Sequence, residues 1–126
     1  MREKIEIRDS NIKNAGRGVF ALEDIEEDEI IEICPILIFS RKDTGVIMET
    51  MLGDYVFGYE RGKTVFVMGY GSLYNHSNTP NAKYELLIHD GGHERDNEFC
   101  YTALKDIKAG EEIYINYGKD HFSGKK

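Results

Sequence analysis

Few cysteines, no long apolar run and a shortage of basic residues each exclude a class of protein for this sequence. The two cysteines, Cys34 and Cys100, lie far apart in apolar stretches, so they form no metal-binding pair and should pack as small hydrophobic side chains. No apolar run approaches the roughly 20 residues of a membrane helix. The first ten residues alternate charged and apolar side chains and lack the core of a signal peptide. We therefore expect an intracellular protein that does not associate with a membrane.

The shortage of basic residues also limits the choice of partner. Lysine and arginine total 16 against 23 aspartates and glutamates, which gives a net charge of -7. This charge disfavours direct binding of nucleic acid, whose phosphates require basic side chains. It favours a positively charged partner such as a lysine-rich peptide, although many acidic proteins are merely soluble.

The length of 126 residues and the hydrophobic content of 40% predict one domain with a single core. Pro35 interrupts the longest β-branched run and predicts a bulge, an edge or a corner between two strands. A short helix is expected at residues 44–52, capped by Thr44 or Asp43. The fold class is therefore mainly β, with one or two short helices and no parallel α/β sheet. The predicted strands are residues 4–8, 19–21, 29–39, 63–68, 82–89, 98–104 and 112–117.

Two segments of the sequence resemble each other. ALEDI at residues 21–25 and ALKDI at residues 103–107 are each followed by a turn and a strand. The same strand-turn-strand unit is thus predicted twice. An internal duplication and convergence on a favourable hairpin both explain the pattern.

Residues 69–81, GYGSLYNHSNTPN, form a polar segment between two apolar runs. Gly69 and Gly71 permit unusual dihedrals and the close approach of another chain or a ligand. Asn75 and His76 add hydrogen-bonding groups. We expect this segment to lie between core elements, either as an ordinary loop or as part of a binding site.

A second glycine motif matches a nucleotide-binding pattern. Residues 16–21, GRGVFA, satisfy G-x-G-x-x-A, which in an oxidoreductase that binds NAD requires a helix after Gly18. An acidic turn and a β-branched run follow instead, so this interpretation is disfavoured.

Two further clusters have weak functional signals. His89, His93 and Glu94 could bind a metal, but two intervening glycines deprive them of a rigid frame, and a solvated turn is predicted. A serine next to His76 lacks the nucleophile elbow of a hydrolase. We therefore expect neither a metal site nor a hydrolytic dyad.

Three motifs, taken together and in order, resemble those of the SET domain, the protein-lysine methyltransferase family that uses S-adenosylmethionine. The compact size is similar to that of the short free-standing viral SET histone methyltransferase. The matching segments are GRGVFA at 16–21, GYG at 69–71 with NHS at 75–77 and PNA at 80–82, and GEEI at 110–113 with YG at 117–118.

The resemblance implies the SET-domain (β-clip) fold, in which several small sheets surround a threaded pseudoknot. The SET domain would comprise residues 4–118, and residues 119–126 would form a short C-terminal flank. The last strand would pass through a loop near Asn75 and His76.

The resemblance also implies the residues that bind S-adenosylmethionine and the lysine. Tyr117 would be the active-site tyrosine that orients the amine, and Tyr84 and Tyr55 would line the lysine channel. No metal would be required, because methyl transfer from a sulfonium to a neutral amine depends mainly on alignment. The implied cofactor-binding residues are Arg17 and Gly18 through backbone and the methionine end, Asn75 and His76 at the adenosine, Tyr117, and Phe122 over the cofactor or the channel.

The sequence departs from the family pattern in two places. No cysteine follows Gly118, so the zinc-binding cluster of many SET domains is missing, and the channel must be closed by Phe122 or by a second subunit of a homodimer. Ile115 replaces the aromatic residue that sets the number of methyl groups in some members, so that number stays open. The substrate would be a histone or another basic protein tail, which implies a nuclear location for a histone and a cytoplasmic one otherwise. A non-catalytic SET-like module that binds peptide or cofactor is the alternative.

Overall fold

The computed structural model describes residues 3–89 and 92–118 and contains two sheets within these ranges. None of the helices in the described ranges is both long and apolar enough to span a membrane. The strands are β1 (Ile5–Asp9), β2 (Arg17–Ala21), β3 (Ile30–Phe39), β4 (Phe57–Gly58), β5 (Thr64–Val67), β6 (Asn75–His76), β7 (Ala82–Leu87), β8 (Glu98–Ala103) and β9 (Glu112–Ile115). The helices are α1 (Arg41–Ile47) and three 3₁₀ turns at Met51–Tyr55, Glu60–Gly62 and Glu94–Asp96.

The smaller sheet has the strand order β1-β2-β9-β6, and the larger has the order β4-β5-β3-β8-β7. Every pairing is antiparallel except that between β6 and β9. Buried side chains from both sheets form one core, in which Val19, Val65, Tyr101 and Ile113 are fully enclosed. The prediction of a mainly β fold with short helices is confirmed.

The predicted helix was wrong in its bounds. The side chain of Ser40 accepts the N–H of Asp43 at 3.1 Å, so α1 begins three residues earlier than expected. Thr44 is no cap, because its buried hydroxyl bonds that of Thr64 at 2.9 Å. This tertiary hydrogen bond to β5 competes with the capping preference on which the sequence argument depended.

Pro35 lies where β3 changes its partner. The first half of β3 pairs with β8, and the second half pairs with β5. The Pro35 carbonyl accepts the N–H of Met68 at 2.9 Å. A proline fits here because its missing N–H costs little where the ladder passes from one neighbour to the other.

The two similar segments pair with each other. Ile25 and Ile107 exchange both backbone hydrogen bonds, at 2.7 and 2.8 Å. Asp24 accepts the N–H of Ala109, and Asp106 accepts the N–H of Glu27, each at 2.9 Å. The two turns are thus related by a local two-fold arrangement that joins the start of β3 to the start of β9.

Candidate active site

Strand β9 brings the three sequence motifs together. It pairs with β2, which carries the first glycine motif, through Val19 opposite Ile113. On its other side it runs parallel to β6, with Asn75 opposite Tyr114 and His76 opposite Ile115. Segments that are far apart in the sequence therefore share one four-stranded sheet.

Asn75 is held rigidly by its amide nitrogen. This nitrogen donates to the carbonyl of Arg17 at 3.1 Å and to the carboxylate of Glu112 at 3.0 Å. The residue is 1% exposed, and its Oδ1 has no hydrogen-bond partner among the residues that the structure describes. A buried acceptor without a donor costs about 1–3 kcal/mol, so this oxygen is suited to accept a hydrogen bond from a ligand.

Glu112 is a site residue that the sequence analysis missed. Its carboxylate is buried at the start of β9 and accepts hydrogen bonds from the hydroxyls of Ser10 and Tyr114, the N–H of Asn11 and the amide of Asn75. A buried carboxylate requires such partners. The available signal was a charged residue opening an otherwise apolar strand.

The backbone at Gly18 lies directly beside the carboxylate of Glu112. A Cβ atom at this position would lie 2.2 Å from Oε2 of Glu112 and 2.8 Å from Nδ2 of Asn75. Only glycine therefore permits the backbone of β2 to approach both side chains. The neighbouring Arg17 contributes its carbonyl to Asn75, while its side chain is exposed.

His76 binds Tyr117 through its ring. The backbone N–H of Tyr117 donates to Nδ1 of His76 at 3.0 Å, so in the neutral ring Nε2 carries the hydrogen and donates to Oδ1 of Asn78, also at 3.0 Å. The two rings lie 5.1 Å apart. The side chain of His76 thus orders the end of the C-terminal motif.

The three predicted tyrosines gather at this end of the sheet. The hydroxyl of Tyr117 donates to the carbonyl of Tyr74 at 2.9 Å, and the hydroxyl of Tyr84 donates to the carbonyl of Tyr117 at 2.8 Å. Burial raises the pKa of Tyr117 well above its ordinary value, and the backbone of His76 offsets part of this rise. Repulsion from the ionised forms of the nearby Tyr55 and Tyr84 raises the pKa further. Tyr117 therefore remains protonated near neutral pH. Phe122 lies outside the described residues.

An open groove of about 720 Å³ begins beside Tyr84. It lies between β4 and β7, the two edge strands of the larger sheet. Its walls are mainly apolar and include one acidic residue, Glu60. The aromatic rings of Phe57 and Phe99 pack on Tyr84, with centroids 5.2 and 5.6 Å away. The other lining residues are Gly58, Tyr59, Gly62, Leu86 and Ile88.

The dinucleotide interpretation is wrong, because Gly18 lies within β2, and a turn and then β3 follow this strand where a helix would be required. The hydroxyl of Ser72 is buried and bonds the backbone of Val67, and that of Ser77 contacts Thr79, so neither serine forms a dyad with His76.

The two histidines of the disfavoured metal candidate have other partners in the structure. His89 pairs with Glu98 at 2.8 Å, and His93 caps a 3₁₀ turn together with Asp96. No group of three candidate metal ligands occurs within residues 3–89 and 92–118.

Comparisons with known proteins agree with this arrangement. The family model described as the SET domain matches residues 16–118. A Schizosaccharomyces pombe protein named histone-lysine N-methyltransferase, H3 lysine-37 specific, is 38% identical over 122 residues, which cover 96% of this chain and 77% of that protein.

Solved structures show the same fold. A Plasmodium falciparum protein, provisionally described as a histone methyltransferase, superimposes with a TM-score of 0.75 at 35% identity and covers 95% of this chain and 97% of its own. A polycomb repressive complex 2 structure from Chaetomium thermophilum, bound to S-adenosylmethionine, matches in fold with a TM-score of 0.79 at 23% identity, over 98% of this chain and 16% of the other. The chain therefore belongs to the SET-domain family of protein-lysine methyltransferases.

Proposed function

We propose that the chain transfers a methyl group from S-adenosylmethionine to the side-chain amine of a lysine in a basic protein segment, with histone tails as the first candidate. The observation that carries the proposal is the convergence of an open acceptor on Asn75 with Tyr117 and Tyr84 around β9. The names of the related proteins supply the histone class. A histone substrate would imply a nuclear location.

The residues around Asn75 fit the cofactor. S-adenosylmethionine supplies an electrophilic methyl group and carries amino groups that can donate hydrogen bonds. The buried Oδ1 of Asn75 can accept such a bond, and Gly18 leaves the backbone of β2 open to close approach. Arg17, His76 and Phe122 remain the further candidates for contacts with the cofactor.

In this proposal the tyrosines orient the amine. Tyr117 donates its hydrogen to the carbonyl of Tyr74, so toward the lysine its oxygen acts as an acceptor and can align the nitrogen lone pair. The lysine must first lose a proton, although its ordinary pKa is about 10.4. The rings of Phe57 and Tyr84 offer apolar surroundings that disfavour the ammonium form.

The groove between β4 and β7 fits an extended peptide. An extended peptide can pair as an additional strand with β4 or with β7, and its side chains at alternate positions then face the groove. Tyr84, Leu86 and Ile88 lie on one side of this groove at spacings of two residues. A peptide whose lysine lies at Tyr84 would place its residues two and four positions away near Leu86 and Ile88. We expect apolar side chains there.

Calorimetry with S-adenosylmethionine and a radiolabel transfer assay on histones and lysine-containing peptides test the proposal together. We expect the wild type to bind the cofactor and to transfer the methyl group. We expect Tyr117→Phe to remain folded but to lose the transfer. Cofactor binding without transfer to any lysine would favour the alternative of a non-catalytic SET-like module. Sedimentation of the same sample tests the predicted homodimer.

A further inference from the structure

We propose that Glu32 is a positioning residue that fixes the side chain of Tyr74. It thereby fixes the backbone carbonyl of Tyr74, which accepts a hydrogen bond from the hydroxyl of Tyr117. The inference rests on the proposed function, because that function gives Tyr117 its role in orienting the amine. Glu32 itself lies on β3 in the other sheet and is linked to the active-site tyrosine through Tyr74.

Tyr74 links Glu32 to the active site by its two ends. Its hydroxyl donates to Oε1 of Glu32 at 2.7 Å, and its backbone carbonyl accepts the hydroxyl of Tyr117 at 2.9 Å. The residue is fully buried, and its ring stacks on Tyr101 with centroids 4.6 Å apart. Its side chain is therefore held at the hydroxyl and at the ring, which leaves the carbonyl little freedom.

The carboxylate of Glu32 also holds the start of the same loop. The hydroxyl of Tyr74, at the end of this loop, donates to one of its oxygens. A Cβ atom at Gly69 would lie 3.2 Å from its other oxygen, so the loop backbone passes close to it. Both ends of residues 69–74, which lead directly into Asn75, thus lie against the carboxylate of Glu32 on β3.

A purely structural role does not account for this choice of residues. Burying a carboxylate and a phenol costs free energy that hydrogen bonds only offset, and apolar groups of similar volume would stabilise the core at least as well. The hydrogen bond between Tyr74 and Glu32 instead fixes the orientation of the Tyr74 side chain. Alignment at the reacting atoms depends on sub-ångström placement, so a fixed carbonyl at Tyr74 benefits transfer.

The test compares Tyr74→Phe, Glu32→Leu and Glu32→Gln with the wild type. Tyr74→Phe and Glu32→Leu should lower kcat by about tenfold or more, with KM for the peptide and affinity for S-adenosylmethionine changed less than about threefold. Glu32→Gln retains an acceptor for the Tyr74 hydroxyl and should keep most of the activity. Glu29→Gln, on a carboxylate that pairs with Lys4 at the surface, is the matched control and should leave kcat unchanged.

The ¹³Cζ resonance of Tyr117, assigned with Tyr117→Phe, gives a readout that does not need turnover. It should shift in Tyr74→Phe and Glu32→Leu and stay near the wild-type position in Glu32→Gln. An unchanged resonance and an unchanged kcat in folded Tyr74→Phe would overturn the inference. A resonance that shifts in Tyr74→Phe and Glu32→Leu, together with a wild-type protein that transfers no methyl group, would leave the positioning role standing and remove the proposed function instead.

Discussion

The backbone N–H of Tyr117 donates to Nδ1 of His76 at a distance of 3.0 Å, so the histidine of the central motif orders the C-terminal motif with its side chain. The resemblance assigned His76 to the adenosine part of the cofactor, and that assignment stays a prediction.

Replacing His76 by alanine should impair both stability and activity. The N–H of Tyr117 would lose its acceptor, which costs about 1–3 kcal/mol in a partly buried setting. Denaturant unfolding and transfer assays measure the two effects. His89→Ala is the control, since this histidine forms an exposed pair with Glu98 and should change stability by less than about 1 kcal/mol. Equal effects of the two substitutions would contradict the role of the His76 ring.

Asn75→Ala should weaken binding of S-adenosylmethionine by about tenfold or more, because a hydrogen bond to a charged or polarised donor contributes about 1.5–3 kcal/mol. Calorimetry measures this directly. Asn97→Ala removes another buried asparagine, whose Oδ1 accepts the N–H of His89 away from the site. The control should lose stability and keep cofactor affinity. Unchanged cofactor affinity in folded Asn75→Ala would show that the open acceptor of Asn75 serves no ligand.

Gly18→Ala should destabilise the fold and reduce cofactor binding, because its new methyl group would displace the buried side chains of Glu112 and Asn75. Gly45→Ala is matched to it. Gly45 lies within α1, and a Cβ atom there would meet no atom within 4 Å, so alanine should raise stability by about 0.5–1 kcal/mol. Thermal unfolding with and without S-adenosylmethionine compares the two variants. A Gly18→Ala protein as stable as wild type would contradict the packing at this position.

Stability should depend on pH through Glu32. Burial outweighs the hydrogen bond from Tyr74 and raises the pKa of Glu32, so the folded state binds this proton more tightly than the unfolded state does. The resulting stabilisation is present below the ordinary glutamate pKa of about 4.3 and is lost as pH rises through the raised folded value. Burial also raises the pKa values of Tyr74 and Cys34, which face Glu32, so neither titrates in this window.

The measurement is denaturant unfolding of the wild type and Glu32→Gln between pH 4 and pH 7. As pH rises, the wild type should lose stability relative to the variant. A difference that stays constant across this range would show that the proton affinity of Glu32 is the same in the folded and unfolded states.

Ile88→Ser should raise KM for peptides that carry an apolar residue four positions from the lysine. Burying an isoleucine side chain contributes about 1.5–3 kcal/mol, which corresponds to about tenfold or more in KM. Ile88 is 72% exposed, so folding should be unaffected. Val46→Ser removes an exposed residue from α1 as the control. For a peptide with serine at that position, the wild type and Ile88→Ser should have the same KM. A difference in KM that persists with the serine peptide would show that the peptide binds elsewhere.

Alternation in the sequence predicted the seven longer strands but not the two-residue strands β4 and β6, and the resemblance to the SET domain implied that Tyr84 and Tyr117 converge. The sequence did not reveal the buried carboxylate of Glu112 or the half-buried carboxylate of Glu32. Glu112 and Glu32 are satisfied by donors such as Ser10 and Tyr74 that lie far away in the sequence. Burial of a charge depends on these tertiary partners, and neither composition nor periodicity encodes them.

The placement of β9 between β2 and β6 has a consequence for how the enzyme matures. The glycine motif and the Asn75–His76 pair have no shared strand neighbour until residues 112–115 insert between them. Closing such distant segments makes folding slow compared with a helical bundle of similar size. Cofactor affinity should therefore appear late and all at once, which makes it a direct gauge of the fraction of chains that have completed the fold.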